Sequence, residues 1–532
     1  MKNDCLRIFL LFVVMAFVSA CGGCGAGEAG SECHPDDRDS CNDGLVCAAH
    51  ASGDNLCQIP VGGACDLDDD PSYCQTGSAC FKQRDESACL TTRGNTCSAE
   101  EAHCAPDLVC AEREGGTFAC YSPVVVTGLV FDSEDRDAIE GAHVIALNEE
   151  ATAVTDVAIS GVDGSYALSL PVKRDANGKP LRQFFTLRAS AQDYQTFPSG
   201  IRTALPIDAS VGTDKDGKWR ISTALTEIAM IALPESEQGR AAISGRVLAS
   251  TRSDGVLVVA ERDNKGISGV SDRRGHYTIF NVPPGGYAVR GYAAGVQLEP
   301  VSATMQDADL TGVDLQESDK GVASVSGTIQ IVAAGGGLTT SVVFVVASTF
   351  NELAIRGEVP SGLRAPRTGT PNISGSWTIE GVPAGDYVIL AGFENDFLVR
   401  DPDPGIAGTE IVRITIPASS APVTIGQSFK VTAALATVSP GATEAELVTQ
   451  KPMLVWGPLS NADAYSVVVF NAHGNLVWSD DDVAKPSGST NVSVQYAGPL
   501  DDGMYYQFRA TAHRRGSPNS TTENLLGVFY TE

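Results

Sequence analysis

From residue 124 onward the chain alternates apolar and polar residues in short runs that glycine and aspartate interrupt. Alternation at period two puts every second side chain on one face, so these runs predict half-buried strands joined by tight turns. Helix-period segments are scarce. Three successive stretches repeat one plan: an opening strand with a central glycine, an alternating strand, a polar turn and an aromatic strand. The first opens with Val126-Thr-Gly-Leu-Val130, continues through residues 139–146 and reaches 162–170; the second opens with Ile243-Ser-Gly-Arg-Val247 and reaches 272–287; the third opens with Val325-Ser-Gly-Thr-Ile329 and reaches 374–387. Gly164, Gly275 and Gly375 read as the permissive residues of the turn, after which Tyr166, Tyr277 and Trp377 each place one ring inward. Pro284-Gly-Gly and Ala384-Gly-Asp mark a second turn ahead of Tyr287 and Tyr387. The last stretch differs: Leu454 and Trp456 share a face, Tyr465, Val467 and Val469 do the same, and Tyr506, Phe508, Ala510 and Ala512 follow at period two.

On those motifs the three stretches resemble carboxypeptidase regulatory-like domains, which implies sandwiches of the prealbumin-like type over residues 124–234, 240–318 and 322–434. The first departs from the pattern by an insertion at residues 173–181 and a long tail through Trp219. Residues 438–532 resemble a fibronectin type III domain; the resemblance implies that Trp456 is the core tryptophan and Tyr506 the tyrosine corner. Trp478 fits no core position as readily and is the aromatic singled out as a ligand contact. The family name of the first three domains contains an enzyme, but its zinc pattern is missing: none of the seven histidines has a glutamate three residues later. His-Glu-x-x-His, the Gly-x-Ser-x-Gly elbow and the phosphate-binding loop are missing too. Glu149 with Glu150, and Asp480 to Asp482, read as solvated acids rather than a glycosidase pair. No catalytic residue, metal site or cofactor is expected, and the chain is read as non-enzymatic.

Ahead of the strands, residues 33–121 hold cysteines in three units with a period of 32 residues. The units are Cys33, Cys41, Cys47, Cys57; Cys65, Cys74, Cys80, Cys89; and Cys97, Cys104, Cys110, Cys120, with five residues between the second and third of each. Units this small bury too little apolar surface to fold on a core alone, so two disulfides per unit are expected. Four cysteines allow three connectivities, and spacing leaves all three open. Zinc fits poorly, because thiolate sites bring cysteines in close pairs that are missing here. Calcium at Asp66, Asp68, Asp69 and Asp70 fits no better: an EF-hand begun at Asp66 would meet Pro71 and Gly77 where glycine and glutamate are needed. The element Cys41-Asn-Asp-Gly-Leu-Val-Cys47 makes the region similar to small cysteine-rich modules related to the Dickkopf amino-terminal region.

At the start, Lys2 and Arg7 precede an apolar run from Ile8 to Val18, too short to span a bilayer and followed by small residues, which reads as an export signal over residues 1–20. Val18-Ser-Ala-Cys21 matches a lipobox, so the chain resembles a bacterial lipoprotein precursor; the resemblance implies cleavage before Cys21 and diacylglyceryl attachment to its sulfur. Residues 21–32 are a glycine-rich tether in which Cys24 is the odd thiol. Gly22 stands where an aspartate retains some lipoproteins at the inner membrane, which points outward.

The fold class expected is mainly β: disulfide-rich N-terminal repeats followed by a tandem array of β-sandwich domains. A length of 532 residues with 55 glycines suits several such domains. A net charge of −28, with 37 basic against 65 acidic residues, excludes a basic stripe for nucleic acid. The expected partners are the membrane, through the lipid, and a protein or glycan at the cell surface; the expected location is the bacterial envelope, at the outer membrane and surface-exposed. Function is read as a non-catalytic interaction, adhesion or spacer module. The alternative is a carbohydrate-binding accessory protein of the cell surface. Bacterial lipoproteins carry more than one acyl chain, each buried CH₂ contributing about 0.8 kcal/mol. Cys21→Ala is therefore expected to move the chain out of the membrane fraction with its domains still folded; a variant that still sediments with membranes would overturn the anchor.

Overall fold

The computed structural model describes residues 27–532 apart from 38, 51, 68–72, 84–85, 99–102, 199–201, 203, 216–217, 333–339, 354–355, 368–371, 394–398, 401–410, 427, 433, 489 and 523–525. Cys21, Cys24 and the acids at 68–70 lie outside the described residues. The chain divides into two units, 1–122 and 123–532.

In the first unit each cysteine group builds one hairpin: Val46–Ala49 with Asn55–Gln58, Ser78–Gln83 with Glu86–Thr91, and Val109–Glu112 with Phe118–Tyr121. The third and fourth cysteines of each group face each other across the hairpin but do not bond to each other. The pairing is first to third and second to fourth: Cys33–Cys47 and Cys41–Cys57, Cys65–Cys80 and Cys74–Cys89, Cys97–Cys110 and Cys104–Cys120. This connectivity is one of the three that spacing allows. Loops of 13 to 16 residues are closed in this way, and closing a loop of that size stabilises by about 3 kcal/mol. Consecutive modules are joined by one repeated contact. Ile59 bridges to Cys74 and Thr91 to Cys104, in parallel, so each hairpin's exit pairs with the next module's second cysteine.

The second unit is four two-sheet sandwiches. In the first three, the opening strand pairs antiparallel with the aromatic strand and parallel with short strands from the end of the domain. Val124–Asp132 lies beside Ser165–Leu170, Lys218–Ile221 and Ile228–Met230. Ala241–Leu248 lies beside His276–Val282 and Leu315–Gln316. Ala323–Val332 lies beside Ser376–Val382, Val423–Thr424 and Phe429–Thr432. The opening-strand glycine has a specific task in this arrangement. Gly128, Gly245 and Gly327 sit directly opposite Tyr166, Tyr277 and Trp377. A Cβ on Gly128 would come 1.8 Å from the Thr226 carbonyl oxygen, one on Gly245 2.1 Å from that of Val313, and one on Gly327 2.4 Å from the Trp377 ring. Tyr166 donates to that same Thr226 carbonyl at 2.6 Å, and Tyr277 donates to that of Val313. Ring, glycine and the segment leading into the closing strand thus form one lock, Thr226 ending a 3-10 turn ahead of Ile228–Met230 and Val313 preceding Leu315–Gln316. Trp377 keeps the ring but its Nε1 finds no partner.

One turn reading is corrected. Gly164 and Gly275 adopt φ of +74° and +82°, as a tight turn requires, but Gly375 is not left-handed and has open space around its α-carbon. The fourth sandwich sets Thr437–Ser439, Met453–Trp456 and Val492–Gln495 against a sheet centred on Ala464–Asn471 and Tyr505–Arg514. Trp456 is fully buried, and the Tyr506 hydroxyl accepts from the Asp501 amide at 2.7 Å. Leu435, just outside the range expected for this domain, belongs to its core.

Gly245→Ala is expected to destabilise the chain by about 1–3 kcal/mol, because the closing strand must move to admit the methyl. Gly375→Ala should leave stability unchanged or slightly raised. Thermal denaturation of the two variants side by side checks this, and equal losses would refute the lock.

Candidate functional site

The sandwiches follow one another in sequence, yet both the third and the fourth return to the first. Arg188, on Phe184–Ser190 of the first sandwich, makes a two-point ion pair with Glu358 of the third at 2.8 and 2.9 Å. Ser268 of the second donates to the same carboxylate at 2.7 Å. Arg188 is 8% exposed. Burial works against the charged Glu358 carboxyl, but the Arg188 charge and the hydrogen bonds from Arg188 and Ser268 outweigh it and hold the group below its ordinary range. Nearby, Arg252 of the second sandwich reaches both Thr152 of the first and Ser361 of the third, whose hydroxyls lie 2.6 Å apart. A cavity of about 320 Å³ lies at this three-way junction, with Arg188, Ser268 and Glu358 in its wall.

Between neighbours the seams are equally specific. Asn281 of the second sandwich donates to the carbonyls of Ala191 and Tyr194 and accepts from the Asp193 amide, filling a turn of the first. Its φ of +60° is one that asparagine tolerates better than most side chains. Leu257, Val259 and Tyr292 of the second sandwich belong to the apolar core of the third, where Tyr292 meets Tyr387 edge-on at 5.9 Å.

The fourth sandwich docks on the first through His473. This side chain is 4% exposed, meets the Phe131 ring edge-on at 5.3 Å and places Nε2 3.1 Å from Glu227. Arg202 donates to the carbonyls of Ala229 and His473, clamping both domains. Burial, opposed by Glu227 and helped by Arg136 and Arg202, holds the imidazole below its ordinary range. Beside this seam opens a cleft of about 520 Å³ between the two sandwiches. Its walls include Phe184, Arg182 and Asp208 from the first, and Glu444, Tyr505 and Tyr530 from the fourth.

Trp478, the contact expected from sequence, is half-buried and packs edge-on against Tyr496 at 5.5 Å, beside the fourth core. Asp480, Asp481 and Asp482 lie on Leu476–Ala484, an outer strand of its sheet, where charge blocks pairing with another chain. In the first unit Cys33, Cys41 and Cys57, and the matching trios, bring three sulfurs within 4.8 Å. All are in disulfides, and zinc needs thiolates. Sequence reasoning missed the cleft, although alternation carried a signal for half of it: with Tyr506 inward, Tyr505 has to point out. Nothing comparable marks Arg188–Glu358, whose partners are 170 residues apart.

No family model matches this sequence, and no curated protein compared with it does. Among solved structures it is similar to the Bacillus anthracis TIE protein, at 12% identity over 81% of this chain and 76% of that one, TM-score 0.14. BcpA, the major pilin subunit of Bacillus cereus, matches at 10% identity over 58% of this chain and 98% of that one, TM-score 0.15. A tetra-tandem repeat from the extending region of a large adhesion protein matches at 14% identity over 76% and 100%, TM-score 0.12.

Arg188 is largely buried but the Glu358 side chain is 29% exposed, so removing the carboxylate leaves a guanidinium that water compensates in part, at about 1–3 kcal/mol. Glu358→Ala is expected to lower thermal stability on that scale near neutral pH. Because the carboxyl titrates below its unfolded value, its contribution is present above that value and is lost as pH falls through the folded one. The gap between wild type and variant should therefore close in acid. A gap that stays constant with pH would refute the ion pair.

Proposed function

We propose that this chain is an exported, lipid-anchored, non-catalytic interaction module displayed at the bacterial cell surface. The observation that carries the reading is the first unit: twelve cysteines joined in six disulfides, a framework that forms and persists in oxidising compartments. The export signal and lipobox expected at residues 1–21 agree with that compartment, and the acidic surface keeps an exposed protein soluble. The second unit supports an interaction role in a particular way. Its first sandwich holds residues against each of the other three, so the four present a fixed surface rather than domains swinging on linkers. The charged pairs at the seams each serve an interface: Arg188–Glu358, with the Ser268 hydroxyl on the same carboxylate, ties three sandwiches together, and His473–Glu227 docks the fourth on the first.

Protease shaving of intact cells, with immunodetection of the fourth sandwich, tests display. Loss of that domain from intact cells is the expected result. Protection until the envelope is opened would overturn the surface reading.

A further inference from the structure

The cleft between the first and fourth sandwiches is built unlike the packing seams around it. Tyr505 and Tyr530 face each other across adjacent antiparallel strands and stack, with centroids 4.8 Å apart and planes 11° from parallel. Both are half-buried, while their chain neighbours Tyr506 and Phe529 are fully buried in the core. Facing them from the first sandwich is Phe184, with the Arg182 guanidinium 5.1 Å over its ring. Arg182 spans the gap: its Nη2 lies 2.6 Å from Glu444 of the fourth sandwich and its Nε 3.4 Å from Asp208 of the first. A volume of about 520 Å³ is that of a small-molecule site, for which roughly 300–1,000 Å³ is usual.

The chemistry of these walls narrows the occupant. Stacked on each other, the two rings cover each other's inner faces and leave one outer face each, not the surrounding walls that enclose a cation. A flat face suits a ring with an apolar side. The row Asp208–Arg182–Glu444 alternates acceptors and donors, which matches neighbouring hydroxyls, since each hydroxyl both donates and accepts. Two carboxylates against one guanidinium disfavour an anion, in a chain already at −28. We infer that this cleft binds a neutral saccharide, with a sugar ring against the Tyr505–Tyr530 stack and its hydroxyls held by Arg182, Asp208 and Glu444. Burial, then Tyr530 and the Asp208 charge, push the Tyr505 hydroxyl up, so it stays a neutral donor in the site. The assignment goes beyond surface display and is independent of the lipid.

The test is saturation-transfer NMR and titration calorimetry on the purified full-length chain with maltotriose, cellotriose and chitotriose, at sugar concentrations into the millimolar range. At least one sugar is expected to bind, and Tyr530→Ala and Arg182→Ala to weaken it about tenfold or more, the loss of roughly 1.4 kcal/mol. Ala445→Trp, at an exposed position on the rim, should block the cleft without touching the core. Trp478→Ala should bind as wild type does. If Tyr530→Ala fails to fold, the two exposed positions, Arg182 and Ala445, carry the comparison. Absence of binding by all three sugars would overturn the proposal, as would binding that survives both Arg182→Ala and Ala445→Trp. Because binding is measured on purified protein, either outcome leaves the shaving result standing on its own.

Discussion

The second unit depends on a contact that its first three domains repeat: an aromatic ring laid across a glycine in the neighbouring strand. Glycine in a strand interior normally weakens it, through lost entropy and missing contacts. Here the missing side chain is the point. It lets the segment leading into the closing strand approach until a carbonyl occupies the space a Cβ would take, and in the first two domains the tyrosine hydroxyl bonds to that same carbonyl. The parallel strand that completes each sheet has only a few residues, too short to hold its place by ladder hydrogen bonds alone. Fixing it through a buried phenol supplies the difference. The third domain shows what can vary: tryptophan keeps the ring over Gly327, gives up the hydrogen bond, and leaves Nε1 without a partner.

Once each sandwich is closed, polar groups decide how the four meet. Apolar contact alone tolerates sliding, whereas a two-point guanidinium–carboxylate pair fixes both distance and orientation. Arg188 with Glu358, Asn281 in its turn and Arg202 on two carbonyls each impose such a geometry on a different seam. For Arg188 and Glu358 the cost of burying charge is offset by partners beyond the pair, as the Ser268 hydrogen bond to Glu358 illustrates, whereas Arg202 keeps a buried Nε with no hydrogen-bond partner. Tandem order in the chain therefore does not translate into a string of domains that touch only their successors.

Much of this was legible from sequence, and the division follows physical range. Period-two alternation, the 32-residue cysteine repeat and the turn glycines are local signals, and they located the strands, the disulfide modules and the inward rings. Trp456 and Tyr506 point inward as their alternating strands implied, both fully buried. Connectivity of the cysteines was not legible, because three pairings satisfy the same spacing and the choice depends on how the hairpin folds over the first two cysteines. Gly375 misled for a related reason: the motif preserved the residue while the turn did not need its left-handed freedom. The seams were invisible, since Arg188 and Glu358, or His473 and Glu227, become neighbours only after whole domains have packed.

That hierarchy bears on why a binding cleft lies at a seam instead of on a single sandwich. Within one sandwich the outward rings of a sheet, here on two of its interior strands, have no opposite wall. Placing a second domain beside them supplies the opposite wall, but the wall is useful only if its distance is fixed before a ligand arrives, because ordering it afterwards would consume binding energy. The Arg202 and His473 contacts hold the same two domains together through residues outside the cleft lining. Burial holds the His473 ring below its ordinary range although the neighbouring Glu227 favours the charged form. The cleft is thus a consequence of how rigidly the first and fourth domains are joined, and its aromatic and charged walls are complete only in the joined state.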